Sequence, residues 1–312
     1  MARNRKTQFG VSGLTTEQPN PFARELDTKS ALDIARIINA EDAKVAAAVQ
    51  KVIPQIATAI DWVAQSLRNR GRLIYVGAGT SGRIAALDAA ECPPTFNTNP
   101  NMVQFVIAGG KRALAGATEA DEDSRALGIR EMRRKRAGKY DVVIGLAASG
   151  RTPFTVAAVE HARRSRAKTV AITCNRGTPL AKVAELAIVV DTGPEVLAGS
   201  TRMKAGTAEK MVLNILSTGA MVRLGYVYGN LMVNLHRKNS KLAERSVSIV
   251  QQALGVRQRE ALDILGNARN NVPVAIVMSK AGVSHGIAAE SLVRAKGHVR
   301  NAIALAKKMQ EN

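Results

Sequence analysis

The feature that most constrains the fold of this chain is the segment Arg72–Glu91, which reads RLIYVGAGTSGRIAALDAAE. It begins with a short apolar run, Leu73–Val76, that is rich in strand-forming residues. Glycines and hydroxyl residues follow in Gly77–Gly82, which we call the first loop, and apolar residues then recur at helical spacing. A strand, a glycine-rich turn and a helix in this order direct backbone N–H groups toward one anion. The sequence therefore predicts a phosphate-binding loop whose ligand-contacting residues are Gly79, Thr80, Ser81 and Gly82.

The same letters also match the dinucleotide-binding fingerprint GxGxxG, which is a weak pattern by itself. That fingerprint requires an acidic residue at the tip of the next strand, about twenty residues further on, to bind the ribose hydroxyl. The next predicted strand, 102–107, is followed by Ala108-Gly109-Gly110 and has no carboxylate at its tip. Adjacent hydroxyls at Thr80 and Ser81 also suit a phosphate monoester better than a pyrophosphate that passes over bare glycines. The pattern thus favours a phosphate monoester over NAD.

The composition restricts the class of protein. The chain has 312 residues, of which 46% are hydrophobic but only 3% aromatic, and this suits one large aliphatic α/β core with appended helices. No apolar run reaches the roughly 18 residues of a membrane span, and the N-terminus shows no signal-peptide pattern. Cys92 and Cys174 are too few for a disulfide scaffold or a metal site. We expect a cytoplasmic protein that does not associate with membranes.

The net charge of +20 would suit a nucleic-acid partner. Lysines and arginines cluster in the first six residues, at 130–139 and at 163–168. No base-stacking aromatic residues are interleaved with these runs, and the two internal runs lie where crossover helices should have exposed ends. We interpret them as solvated helix faces, with a smaller part of the charge attracting an anionic substrate, and we expect no nucleic-acid partner.

The pattern along the chain predicts four segments. Residues 1–24 are polar and predict a flexible arm, and 25–70 predict a helical lead-in that is kinked at Pro54. Strands alternate with helices in 71–238, which predicts an α/β fold with a doubly wound, mostly parallel sheet, and 239–312 predict a small helical domain. The five predicted strands are 72–76, 102–107, 141–146, 168–173 and 186–191. The main predicted helices among and after them are 81–90, 122–136, 152–165, 178–184 and 205–222.

A second loop with similar chemistry follows the third predicted strand. This second loop, Ala147–Pro153, reads AASGRTP and supplies hydroxyls, one glycine and a helix N-terminus, with Pro153 suited to a first helical turn. Ligands of open α/β sheets bind at the carboxyl ends of the strands. We therefore expect the two loops to converge on one small phosphorylated molecule. The binding residues predicted in the second loop are Ser149, Gly150, Arg151 and Thr152.

Together the two loops resemble those of the sugar isomerase (SIS) family of phosphosugar-binding domains. Longer strings narrow the resemblance to the N-acetylmuramic acid 6-phosphate etherase family, and it extends from about residue 14 to the C-terminus. These strings are LDAAECPPTF (87–96), ASGRTP (148–153), ITCN (172–175), GSTRMKAGTAEK (199–210) and GNLMV (229–233). The resemblance implies a five-stranded SIS-type sheet, a helical N-terminal segment, a small C-terminal helical domain and a homodimer.

The resemblance also implies a reaction. It is a lyase-type cleavage of N-acetylmuramic acid 6-phosphate to N-acetylglucosamine 6-phosphate and D-lactate, without metal or organic cofactor, in peptidoglycan recycling. A base removes the C2 proton that the C1 aldehyde acidifies, an acid protonates the departing C3 ether oxygen, and water adds to the intermediate. Two carboxyl groups suit these steps. By motif match the family's catalytic glutamates fall on Glu91 and Glu122, and the small, proline-stiffened surroundings of Glu91 favour it as the acid. Which glutamate acts at C2 stays open.

Further substrate contacts are expected around the segment 199–207, which we call the third loop and which opens the helix after the fifth predicted strand. Lys204 or Arg202 would hold the phosphate or the lactyl carboxylate, with Arg83 and Arg151 as alternatives. Glu195 would bind sugar hydroxyls or pair with one of these bases. The candidate substrate-binding residues in and before the third loop are Glu195, Ser200, Arg202 and Lys204.

Two other functions stay open. A non-catalytic phosphosugar-sensing regulator would need a DNA-reading or partner-binding domain, and the first 70 residues predict no convincing helix-turn-helix. A sugar-phosphate isomerase would share the abstraction of the C2 proton but would need no acid at C3. The four histidines, His236 among them, form no set at ligand spacing, so we expect no metal site.

Overall fold

The computed structural model describes residues 13–116, 119–235 and 240–310. They form two compact units that are not contiguous in sequence. Unit 1 comprises the described residues up to Ala89 together with Val103–Leu216, and unit 2 comprises Ala90–Met102 together with the residues from Ser217 onward. These boundaries differ from the predicted ones, because the helical lead-in belongs to the same unit as the sheet and the second unit takes up residues well before 239.

The described part of the predicted flexible arm is folded. It forms short 3-10 turns at Thr15–Glu17 and Pro21–Ala23, and a third follows at Leu26–Thr28. Thr16 and Asn20 are buried, with only 1% and 6% of their surface exposed. The reason is long-range hydrogen bonding that local sequence does not reveal, since Asn20 Nδ2 donates to Glu41 Oε2 at 2.9 Å and to the Pro194 carbonyl at 3.1 Å. Residues 1–12 lie outside the described part of the chain.

The helical lead-in consists of three helices, and Pro54 lies in the first turn of the third, where its missing N–H costs little. The predicted kink is therefore a break between two helices. The three helices are α1 (Ala31–Asp42), α2 (Val45–Gln50) and α3 (Ile53–Arg68).

Five parallel strands form the centre of unit 1, in the order β2-β1-β3-β4-β5. Strands β1 and β3 are buried along their whole length, which explains why their sequences are continuous apolar runs rather than alternating ones. The predicted α/β fold with a five-stranded sheet is confirmed. The strands are β1 (Leu73–Gly77), β2 (Val103–Ile107), β3 (Val142–Leu146), β4 (Lys168–Thr173) and β5 (Leu186–Val189).

Helices follow each strand, with a 3-10 turn at Gly110–Leu114 after β2. The helix after β1 is longer than predicted because it continues through Pro93 and Pro94, which lie in its last turns. The helices are α4 (Gly79–Phe96), α5 (Glu119–Glu122), α6 (Arg125–Lys135), α7 (Pro153–Arg164), α8 (Pro179–Val183) and α9 (Lys204–Arg223).

The strand order creates a switch point between β1 and β3. From β1 the chain passes outward to β2 and then returns to the other side of β1 as β3. The last residues of these two strands, Gly77 and Leu146, lie opposite each other in the parallel register. The first and second loops therefore leave neighbouring strands at the same edge, where open α/β sheets bind their ligands.

The described residues of unit 2 from 240 to 310 form five helices, where the pattern predicts about four. Its apolar core includes Val250, Leu265 and Ile276. The helices are α10 (Ser240–Leu254), α11 (Gln258–Asn267), α12 (Val272–Ala281), α13 (His285–Arg294) and α14 (Val299–Gln310). In the part of the chain that the structure describes, no single helix is long and apolar enough to span a membrane, although α12 and α13, which are bent by 109°, meet the length and composition requirement as a pair.

Candidate functional site

The first loop joins β1 to α4, and Gly79 and Gly82 are each required there for a different reason. Gly79 starts α4 with φ at +51°, in the left-handed region that glycine adopts at little cost. A Cβ on Gly82 would lie 2.6 Å from Ile107 Cγ1, so a side chain there would displace β2. Thr80 is half-buried and Ser81 is buried in the first helical turn. The first hydrogen bond of the helix runs from the Gly82 N–H to the Ala78 carbonyl at 3.0 Å, so the N–H groups of Gly79, Thr80 and Ser81 precede it. Such N–H groups at the start of a helix suit an anion.

Glu122 lies directly against this loop. A Cβ built on Gly79 would be 3.0 Å from Glu122 Oε1, so the carboxylate contacts the bare backbone where α4 begins. The segment before Glu122 is tied to α4 by Arg83, which donates from Nε to the Ala113 carbonyl at 2.9 Å and from Nη2 to the Gly116 carbonyl at 2.6 Å. Arg83, one of the alternative anion-binding bases, thus supports the chain that leads to Glu122.

The second loop presents two hydroxyls beside the first. Ser149 Oγ accepts the Arg151 N–H at 3.2 Å, which leaves its own hydrogen available for a ligand. Thr152 is the N-cap of α7, yet its side chain makes no capping hydrogen bond. Gly150 has φ at +65°, and a Cβ there would lie 2.3 Å from Thr178 Oγ1, so the turn requires glycine. Ser149 and Thr152 are both half-buried at the carboxyl edge of the sheet.

The start of α9 lies beside both loops. A Cβ on Gly206 would be 3.5 Å from Thr80 Cγ2 and 3.5 Å from Ile84 Cδ1, which places this turn against the start of α4. Ala205 packs with Ala148 of the second loop and with Cys174. The structure therefore brings together four predicted features within unit 1, namely the first loop, the second loop, the start of α9 and Glu122.

Lys204 and Glu195 make internal contacts. The Lys204 ammonium is buried and lies 2.5 Å from Glu41 Oε2, so it neutralises a buried carboxylate. The Glu195 carboxylate accepts the backbone N–H groups of Lys204 and Ala205 at 3.0 and 2.9 Å, and thereby caps α9. Burial raises the pKa of Glu195 in spite of these two bonds. These contacts hold the start of α9 in place beside the loops.

The remaining candidates lie on the surface of this region. Arg202 is exposed and Ser200 is half-buried, with its N–H donating to the Leu197 carbonyl at 2.9 Å. Arg151 is half-buried in the second loop. A cation that binds a substrate anion must reach solvent, and of the two bases predicted in the third loop, Arg202 is exposed and Lys204 is buried.

Glu91 lies in unit 2, on the exposed side of the last turns of α4. The next residue, Cys92, is buried, as is Cys174, and neither forms a disulfide.

One buried residue at the site is missing from the sequence prediction. Glu209 on α9 is 1% exposed, and its Oε1 lies 2.8 Å from Ser81 Oγ in the first loop. A signal for it exists in the sequence, because position 209 falls on the apolar stripe that continues at Val212, Leu213 and Leu216. An acid on such a stripe indicates a buried carboxyl group with a specific partner. Among the described residues, no group of three or more His, Cys, Asp or Glu side chains is arranged to hold a metal ion.

Two family models match the region that carries these loops. The glucokinase regulatory protein N-terminal SIS domain matches residues 55–163, and the SIS domain matches residues 125–218. The fold and the paired loops thus define a SIS-domain protein.

Its curated relatives identify the family within that class. The N-acetylmuramic acid 6-phosphate etherase of Clostridium beijerinckii is 45% identical over 295 residues, which is 95% of this chain and 97% of that protein. N-acetylmuramic acid 6-phosphate etherase 1 of Enterococcus faecalis is 45% identical over 297 residues, or 95% and 99% of the two chains. That of Bacillus licheniformis is 43% identical over 298 residues, or 96% and 98%. The chain belongs to the N-acetylmuramic acid 6-phosphate etherase family, as its motifs predict.

Proposed function

We propose that this protein is a carbon–oxygen lyase that cleaves the D-lactyl ether of N-acetylmuramic acid 6-phosphate. The products are N-acetylglucosamine 6-phosphate and D-lactate, and the setting is peptidoglycan recycling in the cytoplasm. The observation that carries the proposal is the Glu122 carboxylate against Gly79, at the start of a hydroxyl-lined anion loop, in a chain 45% identical to proteins named for this activity. A base beside a phosphate site is what abstraction of a proton from a bound sugar phosphate requires.

In this proposal the phosphate binds between the first and second loops. The N–H groups of the first turn of α4 and the hydroxyls of Thr80 and Ser81 donate from one side. The hydroxyls of Ser149 and Thr152 donate from the other, because the two loops leave adjacent strands at paired positions. The exposed guanidinium of Arg202 is assigned to the lactyl carboxylate.

The two glutamates have different roles in the proposed reaction. Glu122, beside the phosphate loop, is proposed to remove the C2 proton of the open-chain sugar. Glu91 is proposed to protonate the ether oxygen at C3 as lactate leaves, a role that rests on the family motif. The same pair then adds water across the unsaturated intermediate. Each proton transfer by a positioned carboxyl group contributes about 10²–10⁴-fold to the rate.

The family resemblance supports a homodimer, because SIS domains commonly pair and complete their sites across the interface. Glu91 belongs to unit 2, whereas Glu122 lies against Gly79 in unit 1. We therefore propose that a second copy of the chain supplies Glu91 to the site that holds Glu122. In this arrangement the active site is complete only in the dimer.

The test is release of D-lactate from N-acetylmuramic acid 6-phosphate. Wild type should release it, and Glu122→Gln and Glu91→Gln should each slow release by about 100-fold or more, since each removes a proton-transfer group. Asp123→Asn is the matched control, because this exposed neighbour of Glu122 should keep the rate within about threefold.

Other outcomes would favour the alternatives. Tight binding of the sugar phosphate without lactate would point to a phosphosugar-sensing regulator. Formation of a ketose phosphate without lactate would point to an isomerase. Unchanged lactate release by Glu122→Gln would remove Glu122 from the mechanism while leaving the overall reaction in place.

A further inference from the structure

A fully buried carboxyl group lies beneath the first loop and has no role in the reaction described above. Glu209 on α9 is 1% exposed, and its Oε1 lies 2.8 Å from Ser81 Oγ. Its Oε2 is buried and has no hydrogen-bond partner among the residues that the structure describes. A carboxylate in this position would leave a charged oxygen without solvent or donor, which is costly.

The surroundings favour the neutral acid. Burial raises the pKa of Glu209 to about 8, and the hydrogen bond with Ser81 opposes this only in part. The other titratable groups near the loops do not supply a positive charge or a hydrogen-bond donor that would stabilise ionised Glu209. Glu122 lies against Gly79, Glu195 caps α9, Lys204 is paired with Glu41, and the buried Cys174 thiol has its own pKa raised by burial and by the charge of Glu209.

The protonation of Glu209 decides which way the Ser81 hydroxyl points. A carboxylate can only accept, so Ser81 would donate its single hydrogen to Glu209 and offer a ligand lone pairs alone. A carboxylic acid whose proton is on Oε1 donates to Ser81 Oγ instead. The Ser81 hydrogen is then available to the ligand, and Oε2 is an uncharged carbonyl oxygen. A phosphate dianion binds donors and repels lone pairs, so only the second arrangement suits it.

We propose that Glu209 is a positioning residue of the phosphate site, which as a neutral acid donates to Ser81 Oγ and so directs the Ser81 hydroxyl hydrogen toward the phosphate. The inference rests on the proposed function of the first loop as a phosphate site. It implies that loss of the Glu209 proton both reverses the Ser81 hydroxyl and places a negative charge beneath the phosphate. Binding of a sugar phosphate should therefore weaken as the pH rises past the point where Glu209 ionises.

The experiment measures binding rather than turnover, by calorimetry with N-acetylglucosamine 6-phosphate from about pH 7 to about pH 9.5, a range in which the phosphate is already a dianion. For wild type, Kd should rise about tenfold per pH unit above pH ~8. Glu209→Gln should keep the wild-type Kd at pH ~7 within about threefold and remove this rise, because the amide donates to Ser81 at every pH.

Two further variants separate positioning from a merely structural role. Glu209→Ala leaves Ser81 without its donor and should weaken binding at pH ~7 by about tenfold, whereas the Gln variant should not. Asp88→Asn is the matched control, since Asp88 is a buried carboxyl group that lies 2.8 Å from the Tyr75 hydroxyl, and it should keep the wild-type pH dependence.

The outcomes distinguish this inference from the proposed function. Wild type that binds the sugar phosphate with a Kd independent of pH, or a Gln variant that keeps the rise, would overturn the role of Glu209 and leave the lyase proposal standing. Wild type that does not bind the sugar phosphate at any pH would overturn both.

Discussion

At the scale of single residues, Glu41 shows how this protein holds a charge in its interior. Burial by itself would raise the pKa of Glu41, but hydrogen bonds from Lys204, Lys44 and Asn20 outweigh it and lower the pKa to about 2. The folded state therefore gains stability from the ionised group. That gain is fully present above the ordinary pKa of 4.5 and is lost as the pH falls from 4.5 toward about 2.

Glu41→Gln should destabilise the protein at neutral pH by about 3–5 kcal/mol, because it removes the carboxylate that lies 2.5 Å from the buried Lys204 ammonium. The free energy of unfolding in urea measures this. Glu25→Gln is the control, since Glu25 is 78% exposed in a 4.0 Å pair with Lys29 and should change stability by less than about 1 kcal/mol. Equal stability of Glu41→Gln and wild type at neutral pH would show that the pair contributes nothing.

At the scale of elements, the approach of α5 to the start of α4 sets the geometry of the proposed base. The contact between Glu122 and Gly79 exists because α4 begins on a residue without a side chain. Gly110 offers a comparison, because its φ is +62° and a Cβ there would meet no atom within 4 Å.

Gly79→Ala should slow D-lactate release by at least about tenfold, because the new methyl group displaces the Glu122 carboxylate. Gly110→Ala carries a similar backbone penalty of about 1 kcal/mol and should keep the rate within about threefold. Urea unfolding of both variants should show similar losses of stability. A Gly79→Ala enzyme as fast as the Gly110→Ala enzyme would mean that Glu122 does not act from this position.

Most elements could be predicted from the sequence, and two of the exceptions depend on contacts between residues far apart in sequence. The strands were predictable because buried parallel strands are short apolar runs between glycine-rich turns. The first loop was predictable because its glycines and hydroxyl residues follow such a run. The folding of residues 13–24 was not, since Thr16 and Asn20 are held by Asn175 and Pro194, far away in sequence. Glu209 has a signal in the apolar stripe of α9, but its partner Ser81 could not be predicted, because the two residues are 128 apart in sequence.

At the scale of the whole molecule, part of the high positive charge lies on solvent-exposed arginines of α6 and α7. Arg130, Arg134 and Arg164 expose 69%, 75% and 71% of their side chains and lie beside Glu131 or Glu160. This agrees with the interpretation of the basic runs as exposed faces of α6 and α7. The absence of a nucleic-acid partner stays a prediction.

Subunit complementation tests the proposed dimer. Glu91→Gln and Glu122→Gln should each be inactive as pure proteins, but when they are unfolded together and refolded, mixed dimers should regain one intact site of two. Random pairing gives activity of about one quarter of wild type. Glu122→Gln mixed with Glu122→Gln/Glu91→Gln is the control and should stay inactive.

A mixture of the two single variants that stays inactive, although light scattering shows dimers, would mean that both glutamates act from one chain. A monomer that releases lactate at the full rate would contradict the dimer altogether.

The interleaving of the two units along the chain restricts how such a protein can be rearranged. Unit 2 takes Ala90–Met102 from the middle of the sequence that builds unit 1. A gene fragment that encodes only the residues from Ser217 onward would lack this piece, and one that ends at Leu216 would carry it without the rest of its unit. A single recombination breakpoint therefore cannot transfer either unit intact to another protein.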